Sequence, residues 1–283
     1  MNRRQYINTG IISLVVFFAL TPLGGYGGHP YKFLAAALVY CALTYFFLRR
    51  ATTTKERWWT ILLIALPPAL FMIPTHIMDF EEYRFSFPSS MAHFIGILFG
   101  YLVFVTSRQL KIILVTILVT GSAWMTFKGY SIWLHKASFG TYSGNVQERV
   151  PAFVLKNSSG SDFTNAQLAS SITILDFWNT ACAACFRKFP LLQQKFDNYK
   201  ADTSIKIFSV NIPLERDTAG QAENTLKKYN YTFSNLLAQS KSVADSFHVN
   251  SVPTTLIIDQ RGIIVYRGDI DNIDEVITKL KTN

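Results

Sequence analysis

Charge is scarce in this chain. Asp, Glu, Lys and Arg make up 16% of the 283 residues, while 49% are apolar and 23 are Phe. Soluble domains run about 25% charged, so an ordinary soluble fold is excluded for at least part of the length. The shortfall is uneven. Before residue 128 the apolar residues come in long blocks, and after residue 150 in short runs separated by charge. The length itself suggests about two domains. Acidic residues are scarcer than basic ones, and the net charge is +9. Residues 1–149 hold 13 Lys+Arg against 5 Asp+Glu, and residues 150–283 hold 14 against 13. The excess therefore lies between the apolar blocks. That placement fits loops facing the cytoplasm or anionic lipid, not a basic nucleic-acid face, and no nucleic-acid partner is expected.

Five apolar blocks span residues 8–24, 31–48, 58–73, 91–106 and 110–127. Each is near the roughly 17–25 residues that cross a hydrocarbon core. In lipid the backbone must satisfy its own hydrogen bonds, so the blocks read as helices of a transmembrane domain over 1–128. Pro67 and Pro68 predict a kink or an early end in the third. With the amino terminus inside, the inner segments carry Arg3, Arg4, Arg49, Arg50, Lys55, Arg57, Arg108 and Lys111. The outer segments carry only Lys32, Arg84, Lys128 and Lys136. That bias sets the amino terminus in the cytoplasm and everything after Phe127 outside. The first block also fits a cleaved signal, which leaves the same final side.

The membrane half has a single cysteine, Cys41. A dithiol relay inside the membrane needs at least a pair, so Cys41 reads as a small buried apolar side chain. His76, Asp79, Glu81, Glu82 and His93 gather near one end of the blocks but match no metal template, and read as a solvated loop.

Residues 129–149 mix Gly, Ser, charge and aromatics and read as a linker to a domain over 150–283. There, "SITILDFW" and "IKIFSVNI" read as buried strands, and "TTLIID" and "IIVYRG" as strands joined by a turn. A helix is expected from the Cys182–Cys185 pair through Tyr199, with Pro190 inside it. "TAGQAENTLKKYN", "KSVADSFHV" and "DNIDEVITKLK" read as further helices. The order predicts an α/β domain, a central mixed sheet with helices on both faces.

The remaining two cysteines, Cys182 and Cys185, stand two residues apart at the strand-to-helix turn. A structural staple that closes so small a loop gains little stability. Zinc wants about four ligands, and this half adds only His248. Haem attachment needs His after the second cysteine, where Phe186 stands. Redox exchange needs a thiol at a helix amino terminus, where the dipole favours thiolate, and a second thiol within reach. Cys182 and Cys185 supply both, so no metal or other cofactor is expected beyond a redox-active Cys182–Cys185 disulfide.

"DFWNTACAAC" resembles the thioredoxin active-site run, and "SVPTTLIID" resembles the loop that carries the superfamily's cis-proline. "VPAFVLKNSSGSDFTNAQL" and Pro190 resemble the TlpA/ResA-like branch of membrane-tethered thiol–disulfide oxidoreductases. The resemblance covers residues 150–283 and leaves the membrane half unrecognised. It implies that Cys182 is the attacking nucleophile, Cys185 the buried resolving thiol and Asp176 the proton acceptor beneath them. It also implies substrate contact at Trp178, at the Val252 backbone and at cis Pro253. His248 has no assigned role. Three departures bear on redox tuning. Ala183 and Ala184 replace the common Gly-Pro, Ala181 replaces an aromatic, and Lys188 stands where many members of that branch carry Glu. A cation there would stabilise thiolate and make the disulfide more oxidising.

These readings together predict an extracytoplasmic, membrane-anchored thiol–disulfide oxidoreductase that reduces protein disulfides. It would draw on a separate membrane redox partner. The alternatives are an oxidase or isomerase with the same residues, or a membrane binding or transport protein whose thioredoxin-like domain only docks. A peroxidase lacks support because the Pro-x-x-x-Thr-x-x-Cys arrangement is absent.

Overall fold

The computed structural model describes residues 3–26 and 28–282. It divides into two compact units, Met1–Leu134 and His135–Asn283.

The first unit is helical, with α1 (Arg3–Leu20), α2 (Leu23–Tyr26), α3 (Gly28–Leu48), α4 (Thr54–Met78), α5 (Phe80–Tyr83), α6 (Phe87–Val105) and α7 (Arg108–Trp124); α8 (Tyr130–Phe139) spans the division. Among the described residues, five runs are long and apolar enough to cross a membrane: Arg4–Gly25, Gly28–Leu48, Thr54–Met78, Phe80–Val105 and Arg108–Phe139. Large apolar side chains such as Ile11, Val15, Leu62, Leu70, Ile112 and Phe127 are exposed. Water would penalise such faces, while lipid would not. The runs exceed the apolar blocks because polar flanks extend them. At α4 a capping box adds a turn: the Glu56 N–H donates to Thr53 Oγ1 at 3.2 Å, and Glu56 Oε2 accepts from the Thr53 N–H at 3.2 Å.

Two expectations are corrected in this unit. Of the kink or early end expected at Pro67 and Pro68, the early end does not occur, and α4 runs on through Pro74 to Met78. Pro68 has no N–H for the Ile64 carbonyl four residues back, and the Ser13 hydroxyl of α1 donates to that oxygen instead, at 2.9 Å. His93 is not part of a solvated loop. It is fully buried in the helical core, with its ring edge-on to Tyr40 at 5.0 Å. Asp79, by contrast, caps α5, and Glu81 pairs with Arg84. Among the described residues no group of three or more His, Cys, Asp or Glu gathers as a metal site.

Helices α3 and α6 meet along a seam of small residues. A Cβ on Gly96 would lie 2.5 Å from the Ala37 carbonyl oxygen, and one on Gly100 2.6 Å from that of Cys41. Glycine at these positions lets the backbones approach closely, the usual means of holding helices together in lipid. Cys41 is free and buried on this seam.

The expected linker is also corrected. Residues 125–129 form a π-turn, α8 follows, and Asn145–Arg149 is strand β1. The strand's sequence, Asn-Val-Gln-Glu-Arg, has too little apolar character to announce itself. It forms because it lies at a sheet edge, antiparallel to β8.

The second unit is built on an eight-stranded mixed sheet in the order β1-β8-β7-β4-β5-β6-β2-β3. The strands after β1 are β2 (Val154–Asn157), β3 (Asp162–Thr164), β4 (Ile172–Trp178), β5 (Ile205–Asn211), β6 (Ser234–Ala238), β7 (Thr254–Ile258) and β8 (Ile263–Gly268). The β4–β5 and β5–β6 pairs are parallel, and the others antiparallel. The helices are α9 (Ala183–Tyr199), α10 (Gln221–Lys228), α11 (Lys241–Ser246) and α12 (Ile273–Thr282). Strand alternation sorts the central strand between two cores. Leu175 and Phe177 pack with Ala244 and Phe247 on the α11 side. Ile172, Ile174 and Trp178 pack with Phe189 and Leu192 of α9, Leu226 of α10 and Ile277 of α12. Every residue of β4 is buried, which is why it reads as a β-branched and apolar run broken only by Thr173 and Asp176.

Candidate active site

The β4 strand ends at Trp178, and a four-residue loop, Asn179 to Cys182, leads directly into α9. Asn179 Oδ1 accepts from the Ala181 N–H at 3.0 Å. The Thr180 hydroxyl donates to Asp217 Oδ1 at 2.5 Å, tying this loop to residues 214–217, where Asp217 Oδ2 accepts from the Leu214 N–H. Cys182 is the N-cap of α9, and its Sγ accepts from the Cys185 N–H at 3.0 Å. The sulfur thus sits where free helical N–H groups and the helix dipole favour negative charge. Cys182 and Cys185 form a disulfide, with their Cα atoms 5.2 Å apart. Cys182 is half-buried and Cys185 fully buried. Only the first sulfur is therefore open to an incoming group.

Ala181 and Ala183 are exposed and Ala184 is half-buried. These small side chains leave Cys182 uncovered. Ala184 also keeps a backbone N–H that proline would remove from the first turn.

Asp176 points to the same side of β4 as Ile174 and Trp178, which share one buried cluster with Cys185. Asp176 is 2% exposed. The Thr255 hydroxyl, opposite on β7, donates to Asp176 Oδ1 at 2.6 Å. Burial pushes the Asp176 carboxyl up to about 7, with Asp269 adding to the rise. The Thr255 hydrogen bond and Lys188 pull the other way but do not offset it. The carboxyl therefore changes charge near neutrality.

Two expected roles change. Trp178 is fully buried under α9, edge-to-face with Phe189 at 5.1 Å. Its Nε1–H donates to Asn235 Oδ1 at 3.2 Å. It supports the site from below and has no surface for a substrate. Lys188 does not stand as a free cation beside Cys182. Its ammonium pairs with Asp271 at 2.5 Å and Asp269 at 3.1 Å, so its charge is largely neutralised there. The Val252–Pro253 peptide bond is cis, and both residues are half-buried at the head of β7. His248, in a left-handed conformation, pairs with Glu148 on β1.

Sequence reasoning missed Asp217, Asn235, Thr255, Asp269 and Asp271. Each reaches the site from another strand or loop, and none carries a local signal. Only the second Thr of "PTT" offered a hint, being a polar residue on a buried strand.

Residues 146–267 match the AhpC/TSA family. The carboxy-terminal unit is a thioredoxin-like domain of that family. The chain is 27% identical over 137 residues to the thiol-disulfide oxidoreductase ResA of Bacillus subtilis, covering 48% of this chain and 74% of the relative. It is 28% identical over 119 residues to the sporulation thiol-disulfide oxidoreductase A of the same organism, covering 42% and 71%. A crystal structure of the thioredoxin domain of a Bacteroides vulgatus thiol-disulfide oxidoreductase aligns with 47% of this chain and 96% of its own, at 19% identity and a TM-score of 0.42. The family match begins after the helical unit and says nothing of it. With a disulfide at the head of α9, one sulfur open and a buried carboxyl on the same face, this thioredoxin-like domain is that of a thiol–disulfide oxidoreductase.

Proposed function

We propose that this chain is an extracytoplasmic, membrane-anchored oxidoreductase that reduces protein disulfides. The observation that carries the reading is the asymmetry of the cysteine pair: Cys182 half-buried at a helix amino terminus, Cys185 sealed beneath it beside the Asp176 face. In the reduced enzyme the Cys182 thiolate attacks a substrate disulfide. One substrate sulfur bonds to Cys182 and the other leaves as thiolate. Cys185 then gives its proton to Asp176 and attacks Cys182. The Cys182–Cys185 bond forms, the second substrate sulfur leaves, and two electrons have passed from enzyme to substrate. An extended substrate segment pairs with the Val252 backbone beside Pro253.

The neutralised Lys188 favours reduction over oxidation, because the cation argued to stabilise thiolate is held by two carboxylates. Equilibration of the full chain in detergent against glutathione or dithiothreitol tests this. The expected potential lies below about −240 mV, near thioredoxin-like reductants. A value above about −180 mV would make the oxidase or isomerase reading the correct one.

The charge bias supports a cytoplasmic amino terminus and an outside catalytic domain. After mild reduction of intact cells, a membrane-impermeant maleimide should label Cys182. Labelling only after lysis would reverse the topology. One membrane cysteine, Cys41, cannot cycle alone, so a separate membrane partner returns the electrons.

A further inference from the structure

We propose that Thr255 is a positioning residue for the thiol exchange. Its hydroxyl holds the buried Asp176 carboxylate in place and keeps it able to accept a proton at neutral pH. The inference rests on the functional reading above and adds a residue to it.

The geometry comes from strand register. Asp176 and Thr255 are direct partners across the β4–β7 pair, and both face the α9 side of the sheet. The Oγ1–Oδ1 distance is 2.6 Å and both residues are buried, where the low local dielectric strengthens the bond. On the other flank of Asp176 the register partner is Ser209 of β5, whose hydroxyl donates instead to Asn235. The charged groups that bear on the carboxyl are Asp269, from the turn after β8, and Lys188 of α9, which are paired with each other. The uncharged disulfide of Cys182 and Cys185 caps the same face. The one close donor to Asp176 among these groups is therefore the Thr255 hydroxyl.

A donor aimed at a buried carboxylate stabilises its charged form. Without it, burial and the Asp269 field act with less opposition, and the carboxyl holds its proton to higher pH. A smaller fraction of it is then ionised and able to take the proton of Cys185 at pH 7. Thr255 also links this step to the substrate loop. It follows Pro253 by two residues, and the intervening Thr254 hydroxyl closes the turn on the Ser251 carbonyl at 2.6 Å.

The test compares Thr255→Val, which keeps the shape, with Thr255→Ser, which keeps the hydroxyl, in the oxidised full chain in detergent. The first readout is the pH titration of the Asp176 carboxyl carbon by NMR, assigned by its loss in Asp176→Asn. The second is single-turnover reduction of insulin by the pre-reduced chain. Thr255→Val should move the carboxyl midpoint up by about one pH unit. Turnover should fall about five-fold at pH 7 and recover to near wild type at pH 9. Thr255→Ser should keep both. An unmoved midpoint in Thr255→Val would overturn the proposal, as would an equal loss of rate at every pH. If the valine variant does not fold, Thr255→Ala takes its place against Thr255→Ser, with the same expectations. The titration does not depend on activity. A shifted midpoint in a protein that never reduces insulin would sink the reductase reading and leave the Thr255–Asp176 coupling standing.

Discussion

Cys182→Ser in the full chain loses disulfide reduction by at least about a thousandfold in kcat/KM, measured with insulin and a thiol reductant in detergent. The size follows from the role. A serine hydroxyl is almost wholly protonated at neutral pH and does not exchange with disulfides, whatever the helix dipole offers it. Cys185 cannot take over, because it is fully buried. Cys185→Ser should behave differently. Cys182 still attacks, but nothing resolves the product, so a mixed disulfide with substrate accumulates and is visible on a non-reducing gel. Full activity in Cys182→Ser would refute the assignment of the site. Equal trapping by both single variants would refute the division of labour between the two sulfurs.

Asp176→Asn is expected to stabilise the catalytic domain while slowing it. The folded carboxyl is raised from 3.8 to about 7, chiefly by burial. A raised carboxyl binds its proton more tightly in the folded state than in the unfolded chain. Its protonated form is therefore fully compatible with folding below the unfolded value near pH 4. That compatibility is lost as pH rises through 7, where the folded state must either ionise a buried group or hold a proton the unfolded chain has released. Three pH units correspond to about 4 kcal/mol, an upper figure because the domain relaxes around the charge. Asparagine keeps the shape and an acceptor oxygen for the Thr255 hydroxyl but carries no charge. Amide exchange of β4 in the oxidised full chain should show Asp176→Asn more protected than wild type by roughly 2–4 kcal/mol at pH 8, and indistinguishable at pH 4. A pH-independent difference would mean that the carboxyl is not the titrating group. Wild-type stability that rises between pH 5 and 8 would contradict the raised value itself.

In the proposed mechanism Asp176 is a functional carboxyl held in a core strand. Its burial costs stability at the pH where it works, and that same burial gives it a proton affinity near neutrality.

Several features followed from composition and order alone. The long apolar blocks needed no tertiary information, because lipid leaves a spanning backbone few options besides a helix. The strand and helix of the site were readable because local signals coincide there: a short run that is β-branched or apolar at all but Asp176, then a cysteine pair at a helix start. Pro253 was marked by the motif around it. The tertiary structure decided what depends on neighbours distant in sequence. Pro67 and Pro68 do not end α4, because Ser13 of another helix reaches the freed carbonyl. His93 lies in a core, and polar residues near a predicted loop do not reveal that. The edge strand β1 forms only because β8 presents it with backbone partners. Lys188, which by sequence is a free cation near a thiol, is claimed by Asp269 and Asp271 about 80 residues on. Trp178, expected at the surface of the site, lies wholly beneath it. Sequence order placed the groups proposed to carry the chemistry. The register of β4 against β7, set by the alternation of buried side chains, decided which hydroxyl meets Asp176. Such a partner is fixed by a pairing across 79 residues and leaves no local mark.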